Sequence, residues 1–257
     1  MRLTRLLAVV MTAGLLSAAV SWQAADASQR LSGGGGQPAV GQCRELTTSQ
    51  IDDHPSNTTA PIACSQPHNS RVIAVPSLPQ GVRWRDLASN SALTAQAVSL
   101  CYPAFQAALG QTNAVRDRTA YTWSFFEPTK NQRDSGQRWI RCDLGLRRAS
   151  SYVNLPNDHV PALKDTSPTP NVKRCLRQAS NSFVTVPCSS AHTYRSVGTF
   201  TISQKHYPGK TALLQQGRSR CPAIVRTDTN FRWTWNNKTI WNRGHNHVVV
   251  CYNHTTS

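Results

Sequence analysis

Cys64-Ser65-Gln66-Pro67-His68-Asn69-Ser70-Arg71 returns 124 positions later as Cys188-Ser189-Ser190-Ala191-His192-Thr193-Tyr194-Arg195. Both stretches read C-S-x-x-H-x-x-R, and a valine follows at Val72 or Val197. Downstream, Cys101-Tyr102-Pro103-Ala104 is answered by Cys221-Pro222-Ala223. Trp123 stands 19 residues before Cys142, and Trp233 stands 18 before Cys251, with Gly136 and Gly244 lying between. Matches that recur in one order along two segments mark an internal duplication. The chain reads as two diverged copies of one small domain, each holding four cysteines.

The copies share a plan of elements. Pro61 to Cys64 and Arg71 to Val75 are expected as short strands about a turn at Gln66-Pro67, with Phe183 to Cys188 and Ser196 to Ile202 as counterparts. Leu93, Ala97, Leu100, Cys101, Phe105 and Leu109 recur at helical spacing, and Pro103 is expected to kink or split that helix. Leu213 to Val225 is the equivalent helix, with Leu214, Cys221 and Val225 on one side. Closing strands are expected at Tyr121 to Phe126 with Trp139 to Leu144, and at Arg232 to Trp235 with His247 to Tyr252. Each copy is therefore expected to be α+β, a small antiparallel sheet with one packed helix.

Eight cysteines, an even number with no Cys-x-x-Cys pair, read as a disulfide framework rather than structural zinc. Confining the bridges within each copy leaves three pairings per copy. Geometry favours first with second, joining neighbouring strands, and third with fourth, pinning the helix to the last strand. That gives Cys43–Cys64, Cys101–Cys142, Cys175–Cys188 and Cys221–Cys251. Leu, Ile and Val are sparse, so covalent staples carry much of the folding in domains this small.

Arg2 and Arg5 precede an uncharged apolar run, Leu6 to Val20, and Ala25-Asp26-Ala27 supplies a cleavage site. Residues 1–27 read as a secretory signal peptide. The competing reading is a retained anchor, which Leu6 to Trp22 meets only at the short edge of a span. A flexible leader (28–37) follows, then a first domain (38–150), a Pro-punctuated linker (151–171) and a second domain (172–257). The protein is thus expected outside the cytoplasm, associated with the cell envelope, with no transmembrane span once the signal is cleaved.

The whole chain carries a net charge of +16. Residues 38–150 hold 12 basic and 8 acidic side chains, net +4, whereas 172–257 hold 12 basic and only Asp228 as an acid, net +11. So cationic an exported surface is drawn to anionic wall polymer or membrane head groups, or to an envelope protein. Nothing points to specific nucleic-acid recognition, and no cofactor or metal is called for.

His68 and His192 are the first candidates for chemistry, as general bases or ligands. A fold requirement accounts for them better, since each follows a structural cysteine in both copies. Arg71 and Arg195 either pair with an anion or lay their stems over apolar surface. Trp233, Trp235 and Trp241, set among Lys238, Arg243 and asparagines, form a candidate ligand surface for stacking on rings. The competing reading is that these aromatics line a strand's inner face.

These features resemble the actinobacterial septum-formation domain family. The likeness rests on C-S-x-x-H at Cys64 to His68 and Cys188 to His192 with a valine-rich strand following, and on Val40-Gly41-Gln42-Cys43. A cysteine in the central helix and Trp139-Ile140-Arg141-Cys142 complete it. It covers both copies, the second more diverged. Where the family often has an acid three residues after the histidine, this chain has Arg71 and Arg195. The resemblance implies a role in septum formation or the envelope and brings no catalytic residues. The expected function is non-catalytic binding through the basic second domain. The alternative is a secreted basic hydrolase or nuclease using histidine. Against it, the second domain has too few carboxylates for a paired-acid mechanism, and no Gly-x-Ser-x-Gly or His-Glu-x-x-His occurs.

Overall fold

Short β-branched and aromatic runs, each ended by a turn, build two antiparallel sheets in this computed structural model, which describes residues 36–52, 56–156, 162–227 and 229–255. The first sheet holds β1 (Cys43–Arg44), β2 (Ser70–Ala74), β3 (Tyr121–Phe126), β4 (Arg141–Arg148) and β5 (Ser151–Val153). Its order is β1-β2-β4-β3, with β5 added on β4. The second holds β6 (Arg174–Ala179), β7 (Ser182–Pro187), β8 (Tyr194–Thr201), β9 (Phe231–Trp235) and β10 (Val248–His254), ordered β7-β6-β8-β10-β9. The two orders coincide once one bridge is counted. Ile62 pairs with Cys43 where β7 pairs with β6. That single bridge is all that forms of the strand expected at Pro61 to Cys64, a stretch in which Pro61 has no amide proton to donate and Ile62 is the one β-branched residue. The expected signal peptide and most of the expected leader lie outside the described residues. No helix among the described residues is long and apolar enough to cross a membrane.

Each sheet carries one long helix. Ahead of the first, a short helix α1 (Thr48–Asp52) follows β1. The long helix α2 (Asn90–Leu109) starts at the Ser89 cap, whose hydroxyl accepts from the Ala92 amide at 3.2 Å. Leu93, Ala97, Cys101 and Phe105 form its buried stripe. Pro103 does not split α2. The lost backbone bond is offset by burial on both sides of it, at Tyr102 and Phe105. Two short helices, α3 (Asn113–Arg116) and α4 (Lys130–Asp134), complete the first half. In the second half α5 (Lys210–Val225) takes the place of α2, and α6 (Lys238–Arg243) that of α4. Leu213, Gly217, Cys221 and Val225 are its inward face, whereas Leu214, expected there, is 42% exposed.

All four disulfides join the pairs that geometry favours: Cys43–Cys64, Cys101–Cys142, Cys175–Cys188 and Cys221–Cys251. The first and third clip β1 and β6 to the segments just after the Ile62 bridge and β7. The second and fourth fasten α2 to β4 and α5 to β10. The architecture is two disulfide-stapled α+β halves.

Strand register refines the match between the halves. Phe125 stands opposite Cys142, and Trp233 opposite Cys251. Trp233 therefore corresponds to Phe125, not to Trp123 as residue spacing implies. Likewise Val72 pairs with Asp143 while Ser196 pairs with Tyr252, so Val197 is out of step with Val72. Val72 is buried and Val197 is exposed.

The stretch read as a linker is not a bare tether. It forms β5 and sends Leu155 and Leu163 into a cluster with Tyr102, Phe105, Leu109 and Val172. Backbone bonds then cross between the halves: Ala120 N to Val172 O at 2.7 Å, Arg174 N to Arg118 O at 2.7 Å, and Ala149 N to Thr185 O at 2.7 Å. The described residues accordingly form one compact unit.

Candidate functional site

The repeated histidines occupy matching places and make the same bond. His68 Nδ1 lies 2.8 Å from the Gln66 carbonyl, and His192 Nδ1 lies 2.8 Å from the Ser190 carbonyl. A carbonyl only accepts, so each ring carries its proton on Nδ1 and closes the turn two residues behind it. Both are 4% exposed. Beside His192 stand the sulfurs of Cys175 and Cys188, close enough to resemble a metal cluster. Those sulfurs are joined to one another, and thiolate is the form that binds metal. Arg71 and Arg195 also correspond, each opposite the first cysteine of its half. Arg71 is half-buried and Arg195 is exposed.

The tryptophan cluster divides. Trp241 is 0% exposed: it stacks on His247 at 4.9 Å and donates to the Gln204 carbonyl. It belongs to the core and is withdrawn from the ligand surface that its sequence neighbours imply. Trp233 packs on Gly217 of α5, and Trp235 donates to the Tyr207 hydroxyl at 3.1 Å. The alternating positions of β9 face α5, which is the strand-lining arrangement. Lys238 and Arg243 remain exposed on α6.

What the second half offers solvent is charge. Nine of its twelve Lys and Arg residues are exposed. Lys210, Leu214 and Arg218 step along α5 at four-residue intervals and share one outward face. Arg220, also exposed, lies over the Phe200 ring at 4.1 Å. Among the described residues no Lys or Arg of 172–257 is salt-bridged, whereas the first half pairs Arg133 with Glu127 and Arg141 with Asp143. A cationic face without carboxylates keeps its full attraction for a polyanion.

Two features were missed in the sequence. The first is a cavity of about 630 Å³ in the first half, between Trp84, Leu93, Phe125, Glu127, Lys130 and Arg133. There Arg133 binds Glu127 at 2.7 Å and lies 5.6 Å from the Trp84 ring centre. The second is Asp117, buried where the halves meet and bonded by Asn236 and Asn246. Burial pushes its carboxyl above the ordinary value, against the pull of Arg174 and the two amides. Burial likewise raises the Tyr102 hydroxyl beside it. A lone Asp among Arg116, Arg118 and Asn113 gives no hint in sequence of partners about 120 residues away.

The septum-formation family model matches residues 83–251. The chain belongs to this family. The match covers more than half of the 257 residues and runs from Arg83 in the first half to Cys251 in the second. It therefore includes Cys188 to Arg195 and leaves out Cys64 to Arg71. The family unit, so matched, crosses the junction at which the halves dock. No curated protein and no solved structure matches the chain.

Proposed function

We propose that the chain is a non-catalytic protein of the cell envelope that serves septum formation by holding anionic wall polymer on its basic second half. We infer also that its halves are tandem copies of one ancestral unit, and that residues 1–27 direct export. The carrying observation is the exposed positive charge of residues 172–257, nine side chains with no salt bridge among the described residues, of which Lys210, Arg218 and Arg220 lie on α5. Four disulfides and family membership support the extracytoplasmic side of the envelope as its place of work. Histidine-based hydrolysis draws no support from the geometry, because His68 and His192 each spend one ring nitrogen on a backbone carbonyl and lie in separate halves.

The test is co-sedimentation of the oxidised protein with purified anionic wall polymer across a salt series. Binding is expected to weaken steeply between 0.05 and 0.5 M salt, as screening shortens the reach of charge from about 14 Å to about 4 Å. Lys210→Glu with Arg218→Glu should weaken it further at each salt concentration. Binding indifferent to both salt and charge reversal would sink the proposal.

A further inference from the structure

On the far side of the first sheet two buried arginines share one carboxylate. Arg141 Nε donates to Asp143 at 2.9 Å, and both side chains are 1% exposed. Asp143 also accepts from the Ser70 hydroxyl at 2.7 Å. Arg44 is 4% exposed and donates through Nε to the Thr59 carbonyl and through Nη2 to Gln42. Its Nη1 is buried with no partner among the described residues, and so is Trp139 Nε1. The terminal nitrogens of Arg141 make only long bonds, 3.4 Å each, to Asn57.

These three donors are not scattered. Arg44, Trp139 and Arg141 line one cavity of about 110 Å³, rimmed by Gln37, Thr58 and Ala60. Two guanidinium groups line it with one carboxylate, Asp143, behind them, a surplus of one positive charge among the described residues. A buried charge is tolerated only when it is paired and hydrogen-bonded. Arg44 shows the strain of its setting: burial, and then the neighbouring Arg141, hold its pKa down to about 10, against the upward pull of Asp143. The missing partner is thus an acceptor and an anion. The cavity has the volume of about three to four water molecules. That is room for one planar or tetrahedral oxyanion group and too little for a sugar ring.

We propose that this cavity is a binding site for a small oxyanion group, a carboxylate or a phosphate, received by Arg44, Arg141 and Trp139. The site lies in the first half and is independent of the basic face on α5. Either can fail without the other.

The experiment follows thermal unfolding and calorimetric binding of the oxidised full chain with sodium acetate and with inorganic phosphate. Ionic strength is held constant with chloride. One of the two anions is expected to raise the Tm saturably, and which one does so names the group. Trp139→Phe keeps the packing, removes one donor, and should weaken the response about tenfold. Arg44→Met removes the surplus charge and should abolish it. Should Arg44→Met fail to fold, Trp139→Phe decides alone. The proposal is overturned by no saturable response to either anion. It is equally overturned by a response that both variants keep in full, because that response belongs to the basic surface.

Discussion

The side-chain amide of Asn246 donates to both carboxylate oxygens of Asp117, at 2.9 and 3.0 Å. The same nitrogen lies 2.7 Å from the Tyr102 hydroxyl. Asn246 is 0% exposed and Asp117 8%. A residue just ahead of β10 thus satisfies a buried carboxyl that follows α3, and the two halves are held in register at that point. Gly244 nearby makes the approach possible, since a Cβ there would stand 2.7 Å from the Tyr102 ring.

Removing this amide leaves Asp117 with one donor fewer at a buried site. Breaking a buried bond to a charged group costs about 2–3 kcal/mol, more than the net worth of the bond, because the stranded acceptor keeps its desolvation penalty. Asn246→Ala is expected to lower the unfolding free energy by about that amount in urea titration, with an unchanged slope. A loss under about 0.5 kcal/mol would show that the junction does not depend on this contact.

Asp117 also gives the fold a pH dependence of its own. Burial, the largest effect, lifts its pKa above the ordinary 3.8, so the folded chain binds a proton at pH values where the unfolded chain has released it. Stability from this group is therefore fully present below pH 3.8 and is lost as pH rises through the raised value. Asp117→Asn carries no such proton. Denaturant midpoints measured from pH 4 to pH 7 should show a downward component in the native chain that the variant lacks. A steeper decline in the variant would contradict the assignment.

How much of this was legible beforehand depends on the range of the interaction. The cysteine pairing and the sheet-and-helix plan were readable, because Cys64 to Arg71 and Cys188 to Arg195 repeat a local pattern that marks where strands, helix and cysteines recur; strand order was not among the expectations. Register was not readable. Trp123 and Trp233 align by spacing, yet the partner strand sets Phe125 opposite the cysteine instead. Leu214 and Trp241 show the same limit at single positions. One is apolar and turned outward, the other is set among Asn and Arg and fully buried. The junction through Asp117, Asn236 and Asn246, and the cavity around Arg44 and Arg141, join residues far apart in the chain whose side chains look ordinary in isolation.

The staples should not be equal. Cys101–Cys142 closes a separation of 41 residues and Cys175–Cys188 one of 13. In the chain-entropy account the cost of leaving a loop open grows as the logarithm of its length, so the first is worth about 1 kcal/mol more than the second. The paired Cys→Ser variants are expected to fall in that order in denaturant midpoint. The 101–142 variant should also free α2 from β4, which amide exchange along 90–109 would register as faster opening. Equal midpoints would mean that the edge clip contributes through the native strands rather than through the unfolded chain.

The sharpest test of the relation between the halves lies at Gly217 and Trp233. A Cβ on Gly217 would collide with the Trp233 indole, which fills the space a side chain would need. Counting four back from each helical cysteine, Gly217 answers Ala97, and register makes Trp233 answer Phe125. The first half pairs a larger helix residue with a smaller ring, and the second half does the reverse. Gly217→Ala alone should cost about 1–3 kcal/mol through overpacking, partly offset by about 1 kcal/mol of better helix propensity. Trp233→Phe alone should also destabilise, because it leaves the indole's place unfilled. Together the two changes rebuild the first half's solution, so their coupling should be favourable by at least about 1 kcal/mol in a double-mutant cycle. If instead the two costs simply add, helix and strand do not exchange volume at this contact, and the correspondence of Phe125 with Trp233 loses its physical basis.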